Sequence, residues 1–119
     1  MSEVDLNLIE ADAKKYAELS FEEVYEIVLR EWYKSGGSKD QIVVRGGKDF
    51  LLKVIKRLAM KLVENRATVS SAFGLAVGEA VNWAKTKDLD LTTYRVFISV
   101  MAAAIANSVI DEIENRTSV

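Results

Sequence analysis

Several groups in this chain could in principle do chemistry. Glu22, Glu23 and Glu26 fall close together on one helical segment. Carboxylates so placed could hold a divalent cation through hard oxygen ligands. Gly46-Gly47-Lys48 precedes a helical pattern, a context in which backbone N–H groups could cradle phosphate. A run of cations, Arg45, Lys48, Lys53, Lys56, Arg57, Lys61 and Arg66, could follow a phosphate backbone. Trp32, Tyr33 and Trp83 could stack on bases or planar ligands. Composition removes much else. The 119 residues include no histidine and no cysteine. The commonest general base, every histidine-containing triad, thiolate nucleophiles, thiolate metal sites and disulfides are all excluded.

Each candidate has a plainer reading. The spacing of Glu22, Glu23 and Glu26 resembles that of the helical glutamates of all-α nucleotide pyrophosphohydrolases. Those enzymes also need a second helical Glu-x-x-Asp, and here Glu79 is followed at that distance by Asn82. Glu23 also fits a capping box with Ser20, and Glu26 faces Arg30 at i+4. A full phosphate loop would need glycine at Ile42 and serine or threonine at Asp49, so a structural glycine turn explains Gly46-Gly47 better. Trp32 and Trp83 fall on apolar helix faces, which makes them core residues; Tyr33 is the more exposed aromatic. No catalytic residue, metal ligand or cofactor is expected, and the chain reads as a non-enzyme.

Charge is unevenly spread. Residues 1–34 carry nine acidic and four basic side chains, and residues 35–66 carry three acidic and eight basic ones. On a helical wheel Lys53, Lys56, Arg57 and Lys61 oppose the leucine stripe, with Arg45 and Lys48 at the start and Arg66 past the end. This stripe is the candidate nucleic-acid surface. The competing reading is a solvated face, or one paired with the chain's own acidic helices. A helix-turn-helix over 38–57 fits poorly, because Ile-Val-Val-Arg before a double glycine is not its turn chemistry. The sequence pI of about 5.2 argues against a dedicated non-specific DNA binder.

A second feature is small-residue content. Gly74 and Gly78 lie four apart on one side of a helix, where glycine costs up to ~1 kcal/mol relative to alanine. They would permit close approach by another helix. The span Val96–Ala106 is apolar nearly all round and includes Ala102, Ala103 and Ala106. A helix of that kind must be covered on most sides. Gly74, Gly78, Ala102, Ala103 and Ala106 are therefore the candidate interface of a homo-oligomer, a dimer by the commonest symmetry.

The elements that position these groups follow from periodicity. Apolar residues recur at helical spacing in five segments, about 3–18, 20–35, 48–65, 69–86 and 91–115. Ser2 with Asp5 is the first cap, and Ser20 with Glu23 the second, with Leu19 and Val24 placed as a hydrophobic staple. Thr68 and Asp90 are the caps of the fourth and fifth helices. Gly36-Gly37 should stop the second helix, and residues 38–47 read as loop. The expected fold is one all-α domain over residues 1–119, a compact bundle of about five helices with the fifth central.

The N-terminus lacks the basic start and apolar run of a signal peptide. The most apolar stretch, Val96–Val109, is shorter than the ~20 residues of a bilayer span. A cytoplasmic protein without membrane association is expected. Gln41 is the only glutamine, and scarce thermolabile residues hint at a thermophilic source. Taken together, these readings point to a helical interaction module, self-associating within a larger assembly with protein partners. The alternative is a small nucleic-acid-associated subunit using the stripe Arg45–Arg66.

Overall fold

The computed structural model describes residues 6–34 and 47–117, and among them it contains helices and no strand. The expected Ser2–Asp5 cap, the Gly36-Gly37 stop and the loop over 38–47 lie outside the described residues, except for Gly47, which opens a helix rather than ending a loop. In order, the helices are α1 (Leu6–Tyr16), α2 (Phe21–Lys34), α3 (Gly47–Glu64), a 3-10 turn (Val69–Ser71), α4 (Ala72–Thr86) and α5 (Arg95–Thr117).

Helix α5 is the hub. Ten consecutive residues, Phe97–Ala106, are fully buried, so the helix has no outer face along three turns. All four other helices pack on it. A helix apolar all round has no other stable position in water. The closest partner is α4, whose Ala72, Ala76, Ala80 and Ala84 form a buried row at i+4 spacing. They meet a helix bearing Ala102, Ala103, Ala104 and Ala106. Ser99, the buried polar residue, donates its hydroxyl to the Arg95 carbonyl at 2.9 Å and so leaves no unmet group.

Arg95–Asn115 is also, among the described residues, the one span long and apolar enough to cross a membrane. It is longer than the Val96–Val109 stretch considered from sequence. The other helices cover most of that apolar surface.

The caps explain where the helices begin. Ser20 Oγ accepts from the Glu23 N–H at 3.2 Å and donates to Glu23 Oε1 at 3.0 Å. Leu19 remains 36% exposed, so the staple is at best loose on that side. Thr68 and Ser71 form a reciprocal box, but around the 3-10 turn that precedes α4. Asp90 accepts from the backbone and hydroxyl of Thr93. Its turn occupies residues 91–94, so α5 starts four residues later than the cap suggested.

Two helix ends use the left-handed conformation without glycine. After α3 the Ala67 N–H bonds the Leu62 carbonyl and Arg66 takes φ 65°. After α4 the Leu89 N–H bonds the Ala84 carbonyl and Asp88 takes φ 56°. Both are Schellman-type ends with an αL residue that glycine would occupy more cheaply.

Candidate interaction surfaces

The structure keeps the cations of α3 exposed but divides them among different surroundings. Lys53, Lys56, Arg57 and Lys61 are all solvent-accessible, opposite the buried Leu51, Val54, Ile55, Leu58 and Leu62. Lys61 Nζ lies 3.2 Å from Glu79 Oε2 of α4. Arg57 shares with Lys61, Glu79 and Asn82 a shallow cleft of about 280 Å³. Lys56 points the other way, into a groove towards α2. Lys53 and Arg57 make no ion pair among the described residues. Arg66 is exposed at the αL end of α3. Arg45 and the Lys48 side chain lie outside the described residues. The stripe is thus a partly neutralised edge rather than one continuous cationic face.

The small-residue candidates separate more sharply. Ala102, Ala103 and Ala106 are wholly buried within the chain's own core. They cannot meet a second copy without unfolding, which corrects their assignment as interface residues. Gly74 and Gly78 are exposed instead, whereas the alanines of α4 are buried. A Cβ on Gly74 would meet only the Glu10 carboxylate of α1, at 3.3 Å, and one on Gly78 would meet nothing within 4 Å. With Leu75, 43% exposed, and exposed Asn82, they form an outer face of α4 that has Glu10 of α1 and Glu79 at its margins and exposed Lys85 one turn further on.

The carboxylates of α2 do not converge on a metal. Among the described residues no cluster of three or more His, Cys, Asp or Glu side chains is placed to hold an ion. Arg30 makes no ion pair with Glu26 among the described residues; the pair on α2 there is Lys34 with Glu31, at 3.6 Å. Arg30 is exposed on a helix whose outer side water solvates, which leaves little to hold such a pair together.

The aromatic residues form a structural cluster. Trp32 of α2 lies 5.1 Å from the Phe97 ring and 5.3 Å from Tyr94, and Trp83 of α4 lies 6.3 Å from Phe97. Trp32 is fully buried and Trp83 is 5% exposed. Neither indole N–H has a hydrogen-bond partner among the described residues, a cost offset by the large apolar area each ring buries. The Tyr33 side chain lies outside the described residues.

Sequence reasoning missed the groove between α2 and α3. Both helices lie on α5, yet over the described residues they scarcely touch each other. The gap opens into a cleft of about 630 Å³. Its only sequence signal is Phe21 at the edge of the α2 stripe, with Leu52 beside the leucines of α3. With these surfaces in view, comparison with known proteins adds no relative: no family model, curated protein or solved structure matches the chain.

Proposed function

We propose that this chain is a non-enzymatic helical interaction module that self-associates as a structural or regulatory subunit of a larger assembly. The observation that supports it is the outer face of α4. Gly74, Leu75, Gly78 and Asn82 give more than two turns of low-relief helix, with charged side chains only at its margins, Glu10 beside Gly74 and Glu79 beside Asn82. At Gly78 glycine costs helix stability and serves no contact of this chain, since a Cβ there would meet nothing within 4 Å. A second helix laid there could approach closely, and a two-fold axis would bring the same residues from both copies together. The absence of histidine and cysteine from the sequence removes the commonest catalytic groups, which supports the non-enzymatic half of the reading.

Light scattering across a concentration series tests self-association. A discrete dimer that becomes monomeric in Gly78→Leu, with unchanged helicity, is the expected outcome. A monomer at every concentration removes the proposal.

A second reading has its own support. Lys53 and Arg57 stand exposed without ion-pair partners among the described residues, as cations that contact phosphates would. Its test is a salt-dependent nucleic-acid gel shift.

A further inference from the structure

The groove between α2 and α3 is a different surface from the α4 face and does not depend on self-association. We propose that it is the docking site for a basic, amphipathic helical segment of a partner protein.

Shape comes first. Two confluent clefts of about 630 and 480 Å³ share Phe21 and Lys56 and run along the seam where α2 and α3 leave α5 uncovered. Phe21, Tyr25 and Leu52 line the first with apolar surface; Leu19 and Ile110 continue it in the second. A trough between two helices, with an apolar lining, is the shape that accepts the apolar edge of a third helix through residues at i, i+3/i+4 and i+7.

Charge then selects the occupant. Among the described residues the first cleft is lined by Glu22 and Glu23 of α2 and the second by Asp111 of α5, with Lys56 the cation that both share. Acidic helices, nucleic acid and anionic lipid would all be repelled by that excess of carboxylate. A helix with lysines or arginines flanking its apolar edge would meet an acidic side chain on either side of the trough.

The test is fluorescence anisotropy on the full chain with three labelled peptides of about 14 residues, long enough for a helix in a groove. One is an amphipathic Leu/Lys helix, one the Leu/Glu counterpart, one a Lys/Ala helix of equal charge. The Leu/Lys peptide should bind saturably and more weakly as salt rises, the Leu/Glu peptide should not bind, and the Lys/Ala peptide should bind about tenfold more weakly. Glu22 and Asp111 are exposed. Reversing both (Glu22→Lys with Asp111→Lys) should leave the circular dichroism melt intact and weaken the Leu/Lys peptide about tenfold or more, while Lys56→Glu should tighten it. Equal binding of Leu/Lys and Lys/Ala peptides, or binding unmoved by the double reversal, would overturn the proposal. So would failure of all three peptides. If that failure came with a change in the chain's own mass on double reversal, a second copy would be the occupant instead.

Discussion

Lys61 Nζ of α3 lies 3.2 Å from Glu79 Oε2 of α4, so one cation of the basic stripe is engaged within the molecule. The lysine side chain is about half exposed, 53%, and the glutamate 19%. A pair this wet contributes ~0.2–1 kcal/mol, fading with salt. Glu79→Ala should therefore lower stability only slightly while freeing Lys61, and urea melts at low and high salt would read the difference.

The same pairing shapes the nucleic-acid test. Reversal of Lys53, Arg57 and Lys61 to glutamate should abolish a salt-sensitive gel shift if the stripe binds nucleic acid. Because Lys61 is already paired, Lys53→Glu with Arg57→Glu should remove most of the shift alone. A shift that survives the triple change, or ignores salt, excludes the stripe.

Gly78 offers a sharper contrast. A Cβ there meets nothing, so Gly78→Ala should stabilise the fold by about 0.5–1 kcal/mol through helix propensity. Gly78→Leu should leave the monomer folded. Thermal melts measure the first effect; loss of a dimer mass in the leucine variant measures the second.

Arg66 and Asp88 should behave alike. Each holds positive φ at a Schellman-type helix end. Arg66→Gly and Asp88→Gly should each raise stability by about 0.5–1 kcal/mol, the reverse of the usual penalty for glycine. A loss of stability in either melt would mean that the wild-type side chain contributes more than its backbone strain costs.

Asp90 gives a pH dependence of known sign. The Thr93 hydroxyl and then the Thr93 N–H hold its carboxyl below the ordinary carboxylate range. A pKa lowered by folding means a contribution present at neutral pH and lost as pH falls through the folded-state value. Thr93→Ala should move the Asp90 carboxyl resonance, followed by NMR titration, back towards the usual value. A titration unchanged in that variant would contradict the bonding described.

The helices were legible in the sequence because the apolar stripes of α2 and α3 coincide with what is buried. Val24, Val28 and Trp32, and all five residues of the Leu51–Leu62 stripe, are core residues. The centrality of α5 was legible too, since nothing else can satisfy a helix apolar on every side. Periodicity was silent on which small residues touch. Alanine and glycine look equivalent as small residues, yet Ala102 and Ala103 went inside and Gly74 and Gly78 went outside. A stripe also says which face turns inward but not what lies at its margins. Lys61 found Glu79 and Lys56 found a groove because of how α3 is set between its neighbours. Leu6 lies at helical spacing from Ile9 and Ala13, yet it is 51% exposed while both of them are fully buried.

The position of the hub in the chain has a consequence for how the molecule is made. Four helices are synthesised before the one they all lean on. Domains ordinarily condense from the N-terminus as they emerge, but here the earlier helices touch one another mainly where α4 meets α1 and α3, and each packs more extensively on α5. During translation Trp32, Leu51, Ile55 and Trp83 remain without their burial site until residues 95–109 have cleared the ribosome. A nascent chain stalled before that point is expected to present its apolar stripes to chaperones.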